Sequence, residues 1–394
     1  MRLLFVCDAR SPIAMNWISY FVEQGDEVHI ASTFDFKPDM PFASVNVVPI
    51  AFSQLKKSHS QKEARNHREG LLWNSSLVNF RTAFRRILAP LTLNSAANKL
   101  SDLISEIQPE LIHAMRIPFE GILTASALRQ EMNSPLIVSV WGNDFTLHAG
   151  TTPWMRRSTK QVLSRTDGLH LDCQRDRILA SNWGYASDRP TIVIPGNGGI
   201  DTDVFYPPKD ETKSRKLMVI NPRGIRAYIR NDTFFAAIPQ ILTQMPDTKF
   251  ICPGMAGETE AEKWIEKYNL FSSVELLPNL PRQEMADLFR GAAVSVSPST
   301  HDGTPNTLLE AMACGCYPVA GDLDSIREWI NPGINGTLID PNDPNDLANA
   351  VIRALSQEDL RKQAALLNTA VIKERAEYHS SMNQARIFYR SLHR

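Results

Sequence analysis

Short runs of β-branched and other apolar residues alternate with helical patterns throughout the chain, and this alternation constrains the fold more than any other feature. Strand, helix, strand at such spacing predicts parallel strands joined by crossover helices, which is the doubly wound α/β arrangement. In the first half the predicted strands are Leu3–Cys7, Glu27–Ser32, Val45–Ile50, Leu111–Ala114, Leu136–Val140, Leu169–Leu171 and Ile192–Ile194. The predicted helices between them are Ile13–Gln24, Gly121–Glu131 and Pro153–Ser164.

The alternation restarts after a polar segment that opens with Pro207 and Pro208 and runs to Lys216, which is typical of an interdomain linker. A chain of 394 residues also favours two domains over one. The second series of predicted strands and helices comprises Leu217–Ile220, Thr233–Met245, Lys249–Cys252, Ala261–Tyr268, Val274–Leu277, Gln283–Arg290, Ala293–Ser297, Thr304–Cys314, Tyr317–Ala320, Asn345–Ser356 and Tyr378–Leu392.

We therefore predict an α/β fold with two Rossmann-like domains that face a cleft. The predicted domains are residues 1–206 and 207–374, and residues 375–394 are expected to form a helix that packs back on the first domain. Ligands of doubly wound sheets bind at the loops that follow the carboxyl ends of the strands. The residues in those loops are therefore the candidates for function.

Composition excludes several classes of protein. A net charge of −1, with 43% hydrophobic and 22% charged residues, is typical of a globular protein and does not favour nucleic-acid binding. The apolar start, Leu3–Cys7, is too short for a signal peptide or a membrane span. Five dispersed cysteines predict reduced thiols and a cytoplasmic location. Cys314 and Cys316 have the wrong spacing for a zinc knuckle, so we expect them to pack in the core.

The segment from Ser297 to Gly315 has the pattern strand, loop, helix. Thr304 is predicted to cap the helix, and Pro305 suits its first turn because that position needs no amide donor. Gly315 is predicted to end the helix. The free amides and the positive end of the helix dipole then form a site for an anion such as a diphosphate.

Two carboxylates belong to the same segment. Asp302 immediately precedes the helix, and Glu310 lies about two turns into it, below Asn306 and Thr307. Carboxylates accept hydrogen bonds from sugar hydroxyls, whereas backbone amides bind phosphate oxygens. The combination therefore suits a nucleotide diphosphate sugar.

This segment resembles the signature of the retaining glycosyltransferases of the glycogen-synthase-like GT-B class, often called family 4. That signature has two acids separated by seven residues, usually both Glu, and here Asp302 replaces the first. The resemblance implies that Glu310 holds the nucleotide ribose and that Asp302 contacts the donor sugar. It also implies that the loop over the sugar and diphosphate consists of Gly303, Thr304, Pro305, Asn306 and Thr307.

The resemblance extends to the start of the second domain, where the family places an Arg after the first strand and a Lys a few residues later. Arg223 fits the first position. Arg230, which precedes Asn231, fits the second, and Arg226 is a competing assignment because the spacing is longer than usual. These cations would stabilise a departing diphosphate without a metal ion. Gly254 lies in a loop that resembles the family's glycine-containing loop beside the nucleotide.

Two candidates follow strands of the first domain. In the family, a His at the position of His113 lies beside the anomeric carbon of the sugar; without that resemblance, a His at a strand end is more often a hydrogen-bonded core residue. Asp144 matches the acid of a His-Gly-x-Asp motif in which Trp141 replaces the His. Asp144 could orient or deprotonate an acceptor hydroxyl.

No metal or dinucleotide cofactor is expected. The chain lacks a G-x-G-x-x-G motif. It has Asp-x-Asp spacing at Asp201–Asp203 and again at Asp322–Asp324, but such spacing is common by chance, and we interpret the first as part of the hinge before the second domain.

Residues 56–99 form a basic stretch with nine Lys and Arg against two Glu, a local net charge of +7. Within it, residues 71–90 combine Trp73, Phe80 and Phe84 with three arginines, which predicts a basic amphipathic helix. Such a helix can lie on an anionic membrane surface or contact a polyanionic acceptor. The alternative is a helix packed on the first domain with a solvated basic face.

The sequence thus predicts a retaining, metal-independent glycosyltransferase. It would move a hexosyl group from a UDP- or GDP-type sugar to a glycan, lipid-linked or small-molecule acceptor, with a role in polysaccharide biosynthesis. We expect it in the cytoplasm, with peripheral contact at the inner face of a membrane. Two alternatives stay open: a sugar-nucleotide 2-epimerase of the same fold, and a non-catalytic binding subunit.

Overall fold

The computed structural model describes residues 1–50, 92–129, 132–209 and 216–393. The chain divides into two compact units. The N-terminal unit comprises Met1–Asp172, Asp176–Gly198 and Met382–Arg394, and the C-terminal unit comprises Cys173–Arg175 and Gly199–Ser381. The boundary predicted between residues 206 and 207 lies inside the C-terminal unit, eight residues after Gly198.

The N-terminal unit is built on a seven-stranded sheet in which every pairing is parallel. The strand order is β3-β2-β1-β4-β5-β6-β7, so the chain reverses direction across the sheet between β1 and β4. Its strands are β1 Arg2–Cys7, β2 Glu27–Ser32, β3 Ser44–Val47, β4 Leu111–Ala114, β5 Leu136–Val140, β6 Gly168–Leu171 and β7 Thr191–Val193.

The C-terminal unit has a six-stranded sheet, again parallel at every pairing. Its order is β10-β9-β8-β11-β12-β13, and the corresponding reversal lies between β8 and β11. Its strands are β8 Lys216–Ile220, β9 Lys249–Pro253, β10 Val274–Leu277, β11 Ala292–Ser297, β12 Tyr317–Gly321 and β13 Thr337–Ile339.

The helices in chain order are α1 Pro12–Glu23, α2 at residues 92–107, α3 Ile122–Ala127, α4 Pro153–Arg165, α5 Arg175–Asn182, α6 Asn231–Gln244, α7 Thr259–Tyr268, α8 Arg282–Gly291, α9 Asn306–Ala313, α10 Asp324–Arg327, α11 Pro344–Ser356, α12 Glu358–Arg375 and α13 Tyr378–Leu392. Single π-helical turns at Ile117–Gly121 and Asp144–His148 follow β4 and β5.

The prediction of two doubly wound parallel sheets is confirmed. Parallel strands are covered by helices on both faces, and all six residues of β11 are buried accordingly. Each fully buried Leu or Phe side chain contributes about 1.5–3 kcal/mol through removal of apolar surface from water. All five cysteines are buried thiols.

Some predicted bounds are wrong. The helix predicted at Gly121–Glu131 is shorter in the structure, because Leu128 already has extended backbone at ψ 118°. The strand predicted at Val45–Ile50 is Ser44–Val47 instead. The amphipathic helix predicted at residues 71–90 lies outside the described residues.

Candidate functional site

The topology of the C-terminal sheet brings two predicted site residues to one place. β8 and β11 are neighbours, with Val219 paired with Val294 and Ile220 with Ser295. The loop after β8 carries Arg223, and the loop after β11 carries Asp302. Because the chain reverses direction across the sheet between these strands, their loops diverge and leave the crevice in which such folds bind ligands.

The guanidinium of Arg223 joins the two loops. Its Nη2 donates a hydrogen bond to Oδ2 of Asp302 at 2.6 Å, and its Nη1 donates to Oγ1 of Thr307 at 3.1 Å. The hydroxyl of Ser299 donates to the same Asp302 oxygen at 3.0 Å. Arg223 and Asp302 are both buried, so this ion pair lies in a medium where charge interactions are strong. Nε of Arg223 is buried without a hydrogen-bond partner among the described residues.

A pair of asparagines fixes the loop that carries Arg223. Oδ1 of Asn221 accepts a hydrogen bond from the Arg223 amide at 3.3 Å, while its Nδ2 donates to Oδ1 of Asn231 at 2.9 Å. Nδ2 of Asn231 donates in turn to the carbonyl of Gly224 at 2.9 Å. The sequence analysis did not single out Asn221, although its place directly after a buried strand is a usable signal.

Helix α9 begins at Asn306, and the prediction that Thr304 caps it is wrong. The preceding residue, Pro305, makes no side-chain cap, and its carbonyl accepts the first helical bond from Leu308 at 3.0 Å. The hydroxyl of Thr304 instead accepts a hydrogen bond from Nε1 of Trp329 at 3.2 Å. The start of the helix therefore has no side chain that competes with a ligand for its first amides.

Three amides at this end of the helix are available to a ligand. Within the described part of the chain, no hydrogen bond is donated by the amides of Gly303, Asn306 or Thr307. The side-chain Oδ1 of Asn306 is also buried without a partner there. Free amides at a helix N-terminus favour an anion, so the geometry suits a phosphate group.

Glu310 is half-buried in α9, and its carboxylate makes no hydrogen bond or ion pair with any described residue. Burial raises the pKa of this carboxyl to about 7, and the charges of Arg282 and Arg223 offset part of that rise. Arg282, the first residue of α8, was missed by the sequence analysis. A carboxylate without protein partners can accept two hydroxyl donors, such as those of a ribose.

Arg230 and Arg226, the two candidates for the second cation, differ in the partners of their guanidinium groups. Arg230 donates two hydrogen bonds to Asp232, at 2.9 and 2.7 Å, and another to Oδ1 of Asn342. The hydrogen bonds from Arg230 hold the pKa of Asp232 below its ordinary value. Arg226 is exposed, and the one described hydrogen bond of its guanidinium, to the hydroxyl of Tyr228, measures 3.1 Å. Of the two, Arg226 is the cation without a carboxylate partner in the described structure.

Gly254 lies where the loops after β8, β9 and β10 meet. Its φ is +73°, which a residue with a side chain rarely adopts, and a Cβ there would lie 2.9 Å from Oδ1 of Asn279. Gly224 also has positive φ, and a Cβ on it would lie 3.5 Å from the Gly254 carbonyl. Glycine at both positions permits this close approach of the loops.

In the N-terminal unit, His113 is fully buried in a chain of hydrogen bonds. Nε1 of Trp17 donates to the Tyr389 hydroxyl at 2.9 Å, and that hydroxyl bonds Nδ1 of His113. Nε2 of His113 bonds Oγ of Ser139 at 2.7 Å, and this oxygen bonds Nδ1 of His170 at 2.8 Å.

The two ends of this chain set its direction. An indole N–H can only donate, and the chain ends on the carbonyl of Ile194, 2.9 Å from Nε2 of His170, which can only accept. His113 and His170 must therefore each carry the proton on Nε2. Burial lowers the pKa of His113 well below its ordinary value and that of His170 to about 4, so both are neutral at pH 7.

Both carboxylate oxygens of Asp144 likewise accept hydrogen bonds from protein groups. Its buried carboxylate accepts a hydrogen bond from Nε of Arg116 at 2.8 Å and from the amides of Ile117 and Trp141, each at 3.2 Å. Burial raises its pKa, and Arg116 opposes that rise. Asp144 thus ties together the two π-helical turns that follow β4 and β5.

The first acid of each Asp-x-Asp pair has a protein partner as well. Oδ1 of Asp201 accepts a hydrogen bond from the amide of Asp203 at 3.0 Å, and Asp322 pairs with Arg327 at 2.6 Å. Among the described residues, none of the helices combines the length and the apolar character that crossing a bilayer requires.

Solved structures share this fold. Sucrose-phosphate synthase from Thermosynechococcus elongatus superposes with a TM-score of 0.76 at 18% identity, covering 100% of this chain and 99% of that one. HepE from Anabaena, in complex with UDP-glucose, superposes with a TM-score of 0.72 at 16% identity, covering 99% of this chain and 100% of that one. The fold is therefore that of the GT-B glycosyltransferases.

Curated relatives align with about half of this chain. The D-inositol 3-phosphate glycosyltransferase of Thermobifida fusca is 24% identical over 202 residues, which are 47% of this chain and 46% of the relative. The enzyme of the same name from Thermobispora bispora is 30% identical over 246 residues, which are 58% and 56% of the two chains. The chain thus spans about half the length of these curated relatives.

Two family models divide most of the chain between them. The model described as "Glycosyl transferase 4-like" matches residues 2–172, and the model "Glycosyl transferases group 1" matches residues 206–366. The second match contains the loops of Arg223 and Gly254 and the whole segment from Asp302 to Glu310. The chain belongs to the group 1 glycosyltransferases, with an N-terminal half of the glycosyl transferase 4-like type.

Proposed function

We propose that this protein transfers a hexosyl group from a nucleotide diphosphate sugar to a hydroxyl of a glycan, lipid-linked or small-molecule acceptor. The observation that carries the proposal is the Arg223 bridge. One buried guanidinium links the Asp302 carboxylate to the Thr307 hydroxyl, and its Nε–H has no partner among the described residues. A buried guanidinium N–H that lacks an acceptor is costly, and a phosphate oxygen of a ligand would satisfy it.

The proposed donor site uses the neighbouring groups according to their charge. The unpaired amides of Gly303, Asn306 and Thr307 would bind the diphosphate, with Arg223 as the adjacent cation. Glu310 would accept the ribose hydroxyls, since its carboxyl has no protein partner in the described structure. Oδ2 of Asp302 accepts hydrogen bonds from Arg223 and Ser299. Its other oxygen, Oδ1, would accept hydrogen bonds from the donor sugar.

Charge on the leaving diphosphate grows as the glycosidic bond breaks, so cations placed there lower the barrier. We assign the second cation to Arg226. Asp232 and Asn342 already engage Arg230, and release of that guanidinium would break three hydrogen bonds. With two arginines and several amides at the diphosphate, the proposed reaction needs no metal ion.

We further propose that transfer retains the anomeric configuration, with the acceptor on the face from which the diphosphate departs. His113 and Asp144 then act by positioning other residues. Both are fully buried and hydrogen bonded to protein groups, so neither has a free atom for substrate. Asp144 would orient the loops after β4 and β5, and His113 would hold α13 against the sheet through Tyr389.

The donor is of UDP or GDP type, and UDP has the additional support that HepE is described with UDP-glucose. The named relatives act on D-inositol 3-phosphate, a ring that carries several hydroxyl groups. This favours an acceptor with several ring hydroxyls over one without such a ring. A cytoplasmic location, a role in polysaccharide biosynthesis and membrane contact through residues 71–90 stay predictions.

The test is turnover of a panel of UDP-, GDP-, ADP- and dTDP-sugars with and without EDTA, for wild type, Arg223→Lys and Arg327→Lys. Arg327 is a matched control because it also pairs with an aspartate in the C-terminal unit but lies exposed. We expect turnover in EDTA, a loss of at least tenfold in kcat/KM for Arg223→Lys, and none for Arg327→Lys.

Analysis of the product by NMR decides the stereochemistry, since a product with the anomeric configuration of the donor means retention. Conversion of UDP-N-acetylglucosamine into its 2-epimer, without release of UDP, would instead identify the epimerase. Binding of a nucleotide sugar without turnover of any panel member would reduce the protein to a binding subunit and refute the proposed reaction.

A further inference from the structure

The peptide that joins Asp302 to Gly303 is held on its carbonyl side by two donors. Nη1 of Arg175 donates to the Asp302 carbonyl oxygen at 2.7 Å, and the hydroxyl of Ser325 donates to the same oxygen at 2.8 Å. A carbonyl oxygen has two lone pairs, so these two bonds saturate it. One of the two donors is charged, which makes its bond stronger than a bond between neutral groups.

A peptide unit is planar, and in the trans form its N–H points away from its C=O. With the Asp302 carbonyl fixed toward Arg175 and Ser325, the Gly303 N–H must point in the opposite direction. That amide donates no hydrogen bond within the described structure. The two donors therefore fix the orientation of an amide that is available to a ligand.

Arg175 is itself held in place by backbone contacts. The carboxylate of Glu328 accepts hydrogen bonds from the amides of Gln174 and Arg175, each at 2.8 Å. Nη1 of Arg375 donates to the Glu328 carbonyl at 2.8 Å, so Glu328 is also tied to α12. The guanidinium of Arg175 thus extends from a fixed backbone, and Ser325 lies fully buried in the short helix α10.

We propose that Arg175 is a positioning residue of the donor site, which together with Ser325 aims the Gly303 amide at a phosphate of the bound nucleoside diphosphate. The inference rests on the proposed function, because it assumes a nucleotide diphosphate at this loop. Arg175 acts through the Asp302–Gly303 peptide and touches no substrate. Loss of the guanidinium frees the peptide to rotate, so the amide has to be oriented during binding.

The experiment compares the affinity of a nucleoside diphosphate with that of its nucleoside. Wild type, Arg175→Met, Ser325→Ala and the control Arg177→Met are titrated with UDP and uridine, and with GDP and guanosine, by isothermal calorimetry. The ratio of the two dissociation constants isolates the contribution of the phosphates. Arg177 is a matched control because it lies exposed two residues further along α5.

We expect Arg175→Met to weaken the binding of the diphosphate about tenfold and to leave that of the nucleoside unchanged, because the charged donor that orients the Gly303 amide is lost and a nucleoside has no phosphate to use that amide. Ser325→Ala should act in the same sense but more weakly, and Arg177→Met should match wild type. Ser325→Ala provides an independent measurement if Arg175→Met folds poorly.

An unchanged ratio in both Arg175→Met and Ser325→Ala overturns the inference while the proposed function stands. Equal weakening of diphosphate and nucleoside also overturns it, since that result indicates general damage to the site. If wild type binds no nucleoside diphosphate at all, the proposed function fails, and the inference fails with it. The wild-type titration therefore separates the two failures.

Discussion

The pKa of Glu310 makes nucleoside binding depend on pH, and this dependence can be measured without knowledge of the acceptor. In the unbound protein the carboxyl has a pKa of about 7 because its burial disfavours the charged form. Ribose hydroxyls that donate to it would favour the ionised form and lower that pKa in the complex. Affinity should therefore be highest above pH 7 and be lost as pH falls through 7.

The magnitude follows from the fraction ionised. With an unbound pKa of about 7, roughly a tenth of the carboxyls are ionised at pH 6 and roughly nine-tenths at pH 8. If the bound pKa falls below about 5, the dissociation constant of the nucleoside should decrease about tenfold between pH 6 and pH 8. Binding at pH 7 should release about half a proton.

The assay is calorimetric titration with a nucleoside. Uridine is used if UDP binds more tightly than GDP, and guanosine if GDP binds more tightly. A nucleoside is preferred because phosphate itself titrates near pH 6. Repeating the titration in two buffers of different ionisation enthalpy counts the protons released. Glu310→Gln is the control variant and should bind with no dependence on pH from 6 to 8.

Glu310→Gln should also be more stable than wild type at pH 8 and nearly equal to it at about pH 4. The folded pKa of Glu310 lies above its ordinary value of 4.5, so the carboxyl stabilises the fold less as pH rises from 4.5 to 7. A normal melting temperature of the variant then excludes misfolding as the cause of weak binding. A wild-type affinity that stays constant from pH 6 to 8, or a variant with the same pH slope, would refute the assigned role.

Three further predictions concern other parts of the chain. Tyr389→Phe should lower the free energy of unfolding, measured in urea, by about 2–4 kcal/mol, because Nε1 of Trp17 and Nδ1 of His113 both lose their partner. The control is Tyr268→Phe, which removes a hydroxyl with no described hydrogen bond and should change that free energy by less than about 0.5 kcal/mol. Since burial lowers the pKa of His170 from 6.5 to about 4, stability should be full above pH 6.5 and decline by about 3 kcal/mol as pH falls to 4, as thermal melts would show; a flat melting temperature over that range would contradict this. Arg226→Gln should reduce donor kcat/KM about tenfold or more and Arg230→Gln by less than about threefold, and the opposite order would reassign the second cation.

The fold could be predicted from the sequence to the extent that its strands are buried on both faces. β1 is a continuous apolar run after Arg2, and β11 consists of alanines and valines with two serines; both were predicted to within one residue. Short elements were harder: β13 has three residues and was missed, because a run of that length has no periodicity to detect. α12 was also missed, since its apolar positions are shared between a buried and an exposed face, with Leu366 66% exposed.

The residues of the candidate site likewise fall into those that the sequence could predict and those that it could not. Arg223, Asp302 and Glu310 could be predicted because each follows a strand or opens a helix at a spacing that the family shares. The partners of those residues could not: Arg175 is distant from Asp302 in sequence, and only the folded chain brings it to the carbonyl. Thr304 had the residue type and position of a helix cap, but Trp329 occupies its hydroxyl, so a tertiary contact outweighed the local preference.

The hydrogen-bond chain that passes through Tyr389 bears on the order in which the two units can be completed during translation. Met382–Arg394 belongs to the N-terminal unit, whereas every residue of the C-terminal unit precedes Met382. Domains of a nascent chain usually finish in the order of their synthesis. Here the unit that starts first is the last to be completed, because Trp17 and His113 lack their shared hydroxyl until Tyr389 has been added. The core of the N-terminal unit thus stays incomplete while the whole C-terminal unit is synthesised.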